Sequence, residues 1–116
     1  MGDDHRDLLQ GTLELLVLKA LSLEPMHGWG IAQRIDQLSR EVFRVQQGSL
    51  YPALQRMLRK GWIRSEWRTS ENNRRARYYS LTRAGRRQLE TEASDWRRAA
   101  ETINAILQFR LADGDA

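Results

Sequence analysis

A chain of 116 residues, 41% apolar and 29% charged, is sized for one globular domain with a modest core, with disorder expected only at its ends. It has no cysteine, which excludes disulfides, thiolate metal sites and cysteine nucleophiles and agrees with a reducing, cytoplasmic location. The net charge of +4 is unevenly placed: Arg56 to Arg87 holds eleven Lys or Arg against Glu66 and Glu71, a segment charge of +9, while the remainder is mildly acidic. A block this concentrated suits a polyanion-facing surface better than a merely solvated face. The longest apolar run, Leu15 to Leu18, is far short of a membrane span, and the start "MGDDHRD" lacks both a hydrophobic signal core and the Ser or Thr that a myristoylation signal needs at Arg6. Neither a membrane partner nor an export address is expected.

The first helix is expected from about Asp7 to Glu24, with leucines on several faces and Pro25 as its stop. Apolar on most sides, it should be buried on most sides, and a chain this small needs a second copy to complete that burial. After "EPMHG", a short amphipathic helix from Trp29 to Leu38 sets Ile31, Ile35 and Leu38 inward; "EVFRV", residues 41–45, alternates as a minor strand would.

In "QQGSLYPALQRMLRKGWI", residues 46–63, Leu50, Leu54, Met57 and Leu58 form one buried stripe. Ser49 suits an N-cap with Pro52 in the first turn, or the helix begins at Gln46 or Gln47 with Pro52 further in. Its end is better defined, because Arg59 and Lys60 complement the helix dipole, Gly61 suits a left-handed cap and Trp62 can fold back toward Met57. "IRSEWR" and "RYYSL" then read as a hairpin around the basic, turn-forming "TSENNRRA". Thr82 caps a last helix, Arg83 to Leu111, before a frayed "ADGDA" tail. Along it Leu89, Ala93, Trp96, Ala100, Ile103 and Leu107 are spaced by four and three, a coiled-coil seam broadened by Ala99 and Ile106 that predicts a homodimer.

Three helices, a two-stranded wing and a long helix predict a mainly α fold with a small β-hairpin: a winged helix-turn-helix over residues 1–82 and a dimerisation helix over 83–111, with 112–116 as tail. In such a fold the helix before the hairpin enters the DNA major groove, where Gln, Ser, Tyr and Arg side chains can meet base edges or phosphates. Gln47, Ser49, Tyr51 and Gln55 are the groove candidates, and Arg56 and Arg59 are expected on phosphate. The wing tip offers Asn72, Asn73, Arg74, Arg75 and Arg77 to the backbone or to a narrow minor groove.

At "HGWGIAQRI", "QGSLYPALQRMLRKGWI" and "ENNRRARYYSLTRAGRRQLE" the chain resembles the PadR family of bacterial transcriptional regulators, over about Leu8 to Leu107, and most of all its short-tailed members. The resemblance implies a dimeric winged-helix repressor acting on its own or neighbouring genes through double-stranded promoter DNA. Its recognition positions fall on Gln47 to Tyr51 and its basic wing on Arg74 to Arg77. The dimer would use the N- and C-terminal helices, here Leu9, Leu13 and Leu16 with the seam just described. Many members open the wing with glycine and place a lysine before the two aromatics; Asn73 and Arg77 stand there, keeping the charge and restricting the backbone. Some relatives bind phenolic acids or flat cationic drugs at a tryptophan matching Trp96, which implies an effector site of Trp96, Ala93, Leu13 and Leu16; the alternative for Trp96 is an aromatic that fills the seam.

No cofactor and no enzymatic activity are expected: His5 falls in the frayed start and His27 in a turn where it satisfies backbone groups, neither at ligand spacing, and there is no phosphate loop or nucleophile elbow. The principal rival is a winged-helix protein-interaction module without DNA contact, which would need no basic wing. An RNA target would call for aromatic stacking platforms, whereas at least one of Tyr78 and Tyr79 should face the core.

Overall fold

A computed structural model describes the backbone of residues 2–112 and the side chains of residues 12–112. Its order is α1 (Gly2–Leu23), β1 (Met26–His27), α2 (Gly28–Leu38), α3 (Gln47–Arg59), β2 (Ile63–Thr69), β3 (Arg75–Leu81) and α4 (Arg83–Gln108). The three strands form an antiparallel sheet ordered β1-β3-β2. The fold is therefore mainly helical with a small sheet.

One apolar cluster joins α1, α2, α3 and the base of the sheet. Leu13, Val17, Leu18 and Leu21 from α1 meet Ile31 and Ile35 of α2, Leu50, Leu54 and Met57 of α3, and Met26, Ile63 and Tyr79 of the strands. Successive strand residues point to opposite faces, so Tyr79 enters this core while Tyr78 lies on the far side, its ring meeting His27 edge-on at 5.3 Å. Burial pushes the Tyr79 phenol above its ordinary pKa; the Arg77 guanidinium pulls it partly back, and nearby Tyr51 adds to the rise.

Several boundaries differ from expectation. α1 is helical from Gly2, so the backbone at His5 lies within it. Residues 41–45 are not a strand: they follow a turn in which Arg40 and Glu41 take left-handed backbone angles of 54° and 67°, and the Ser39 hydroxyl accepts from the Phe43 amide at 3.0 Å. The third strand is Met26–His27, where the free edge of β3 takes Met26 opposite Tyr79 and His27 opposite Tyr78. Two residues carry no periodicity, so only the pairing reveals them. His27 also caps α2, its Nδ1 accepting from the Gly30 amide at 3.0 Å, which starts that helix at Gly28. Leu38, expected inward, is exposed at the last turn of α2.

α3 starts at Gln47, with Pro52 well inside it. The Gln46 carbonyl accepts from the Ser49 and Leu50 amides, so Ser49 is helical and not the cap. At the other end the Gly61 amide donates to Leu58 O and the Trp62 amide to Met57 O, with φ of 76° at Gly61, which is the paired-bond stop that the "RKGW" order predicts. Thr82 caps α4 by accepting from the Gly85 amide at 3.0 Å, and its hydroxyl donates to Gly61 O at 2.6 Å. One side chain thereby links the end of α3, the wing and the start of α4. α4 stops at Gln108, three residues short of Leu111, where Phe109 turns extended. Residues 113–116 lie outside the described part.

Candidate nucleic-acid interface

The register of β2 on β3 decides which wing residues share a face. Ile63 lies opposite Leu81, Ser65 opposite Tyr79, Trp67 opposite Arg77, and Thr69 opposite Arg75. The face that enters the core at Ile63 and Tyr79 therefore continues outward as Ser65, Trp67, Arg77 and Arg75. Beyond the core it meets α3, forming a groove of about 590 Å³ whose walls include Tyr51, Gln55, Trp67, Arg74, Arg75 and Arg77. The start of α2 closes one side with His27, Gly28 and Trp29. Among the described residues no carboxylate lines it.

Each α3 candidate has a definite place. Gln47 and Gln55 are exposed, and Ser49 is half-buried. Tyr51, 41% exposed, lies over Gly28 so closely that a Cβ there would come within 2.7 Å of the phenol oxygen. A side chain at 28 would therefore push the half-exposed Tyr51 ring off this position. Arg59 is exposed in the last turn, at the end of α3 away from the groove. Arg56, expected on phosphate, is also tied to α1: its Nε donates to Glu14 Oε2 at 2.8 Å, which offsets part of its charge and braces α3 against α1.

At the wing tip the Ser70 amide donates to Arg74 O and the Asn73 amide to Ser70 O. Asn73 has φ of 62°, a region that asparagine enters more easily than most residues. The left-handed corner that a glycine would supply is kept, with a polar side chain added. Arg74 follows in the loop, and Arg75 and Arg77 are anchored on β3.

The seam of α4 leaves the body gradually. Leu89 packs on the core, Ala93 and Ala100 are half-buried, and Trp96, Ile103 and Leu107 are exposed, Leu107 by 76%. Leu16 of α1 is partly buried against the core. Leu13 is 1% exposed within its own chain, so it has no surface to offer a second copy or an effector and is corrected to a core residue. The Leu9 side chain lies outside the described residues.

Trp29, Trp67, Ser65 and Gly28 were missed as parts of this surface. Trp67 was legible in principle, since strict alternation along "IRSEWR" puts it on the side of Ile63; which strand neighbours it meets depends on the turn length.

Among the described residues no helix is long and apolar enough to cross a membrane, and no cluster of His, Asp or Glu could hold a metal ion. Residues 17–91 match the Transcriptional regulator PadR-like family, a span from the middle of α1 through both wing strands into α4. Transcriptional regulator Rv3488 of Mycobacterium tuberculosis is 34% identical over 98 residues, 84% of either chain. A PadR-like transcriptional regulator from Bacillus cereus superposes with a TM-score of 0.78 at 29% identity, covering 90% of this chain and 99% of that one. A PadR family transcription regulator from Clostridium difficile does so at 0.73 and 30% identity, covering 83% and 98%. By the family match and these likenesses in sequence and fold, the chain belongs to the PadR-like family of DNA-binding transcriptional regulators, which are not enzymes.

Proposed function

We propose that this protein is a homodimeric repressor that reads a pseudo-palindromic operator in duplex DNA, with α3 in the major groove and the wing on the flanking backbone or minor groove. One observation carries the reading: Tyr51 and Gln55 of α3 and Arg74, Arg75 and Arg77 of the wing line a single groove with no carboxylate in it among the described residues. Gln47 and Ser49 extend the base-facing set toward the helix start, and Asn73 and Arg59 add contacts at either end. A protein-interaction module needs no such concentration of arginine along one groove. The dimer forms through Ala93, Trp96, Ala100, Ile103 and Leu107 of α4, with Leu89 and Leu16 at its base, and sets the half-sites about one helical turn apart, roughly 34–36 Å. Trp96, with Ala93 and Leu16, is the place where a phenolic or planar cationic effector would relieve repression. A ligand panel that changes neither tryptophan fluorescence nor operator affinity rejects that effector site.

The test is fluorescence-anisotropy binding to the protein's own upstream promoter fragment and to a scrambled duplex at several salt concentrations. The expected result is a promoter preference that Tyr51→Ala erodes and a salt slope that Arg75→Ala lowers by about one unit. Equal, weak binding to both duplexes would leave only a basic surface and return the interaction-module reading to first place.

A further inference from the structure

Arginines of this protein are held in two ways. Arg34, Arg44, Arg56, Arg68 and Arg98 each stand beside a carboxylate, of Glu24, Glu41, Glu14, Glu66 and Asp95, which offsets part of the cation's field. The two β3 arginines on the groove face have uncharged partners. The Arg77 Nε donates to the Ser65 hydroxyl at 3.0 Å, and the Arg75 guanidinium lies 5.2 Å from the centre of the Trp67 ring. Both partners come from β2, on the same face and two residues apart. The opposite face supplies a contrast within the same hairpin: Arg68 lies over Tyr78 but is also bonded to Glu66.

Trp67 takes no part in the core. It is 59% exposed on a wing whose core contacts are made by Ile63 and Tyr79. As the cross-strand neighbour of Arg77 it adds only modestly to strand pairing, and its ring face is turned to the Arg75 cation. What the ring does is restrict a long, flexible cation without neutralising it, because an aromatic face attracts a guanidinium through its quadrupole and carries no net charge. The Ser65 hydroxyl does the same for Arg77 through one hydrogen bond.

We infer that Ser65 and Trp67 are positioning residues that hold Arg77 and Arg75 as a preformed, fully charged pair on the groove face, so that little side-chain freedom is lost when phosphate or a minor-groove edge is bound. This deepens the DNA-reading function and rests on it. Preorganisation has its own signature. Loss of a charge lowers both affinity and the number of counterions released, whereas loss of the support lowers affinity and leaves the counterion count alone.

The experiment measures affinity for the promoter duplex against salt for wild type, Trp67→Leu, Trp67→Phe, Ser65→Ala, Arg75→Ala and the Trp67→Leu/Arg75→Ala double variant, with a thermal melt of each. Trp67→Leu should bind roughly three- to tenfold more weakly at one salt concentration with an unchanged slope. Trp67→Phe should recover most of that loss, Ser65→Ala should act similarly but more weakly, and Arg75→Ala should lower the slope by about one unit. In the double variant the Trp67→Leu loss should vanish, since the cation it positions is gone. Wild-type affinity in Trp67→Leu, or a full additional loss in the double variant, overturns the inference while the DNA-reading function stands. A wild type with no preference for the promoter over scrambled duplex removes that function, and this inference with it.

Discussion

In the body built from α1, α2, α3 and the sheet, Leu18, Ile31, Leu50, Leu54 and Met57 seal one another from solvent, whereas α4 repeats apolar residues just as regularly and buries only Gly85 completely. Both regions have the spacing of an amphipathic helix, so periodicity cannot be what separates them. In the body the three helices fold their stripes onto one another and onto the base of the sheet. α4 touches α1 and β3 near its start and then runs on past the body, which gives a molecule 66 Å long but only 30 by 20 Å across. A regular apolar row states that a face is to be covered; it does not state by which chain. On the proposed reading, the outer half of α4 is covered by its symmetry mate.

The contrast can be broken first in the body. Leu54→Ala removes a side chain with no exposed surface and should cost about 2–5 kcal/mol of stability, because the cavity cannot close fully among its packed neighbours. Urea unfolding measures this, and a loss below about 1 kcal/mol would mean the stripe of α3 is not the centre of the core. Ile103→Asp tests the other region. It should weaken self-association by roughly thirtyfold or more, as expected for a charge placed at the centre of an apolar interface, while leaving the protomer's helical content intact. Sedimentation across a concentration series decides it, and an unchanged dimer would remove the α4 seam from the interface. The smallest expected effect lies where the two regions join. Thr82→Ala deletes the hydroxyl that caps α4 and reaches Gly61 O, for a loss of about 1 kcal/mol in the same urea experiment.

Much of the candidate surface is legible in the sequence because its signals are local. "RKGW" encodes a helix stop whose bonds span only five residues, and "LTRAG" encodes a cap whose acceptor and donor are three residues apart. The basic wing stands out as charge in a short segment. The misread parts depend on contacts distant in sequence. β1 is two residues long and exists because β3 has a free edge beside it. Arg56 looks like Arg59 in sequence, yet Glu14, forty-two residues earlier, pairs with one and leaves the other exposed. Leu13 and Leu16 fall in one run of leucines, and only the packing of α1 makes the first core and leaves the second partly open.

By itself the sequence determined the order of the helices and the wing, the ends of α3 and the start of α4, and the basic character of the hairpin, since each follows from side chains within about one turn or one strand of each other. Tertiary structure alone decided which arginines stand beside a carboxylate and which face of the wing they share with Tyr51 and Gln55. Ion pairing and cross-strand neighbours are settled by distances of a few ångströms between residues far apart in the chain, and no local pattern encodes those.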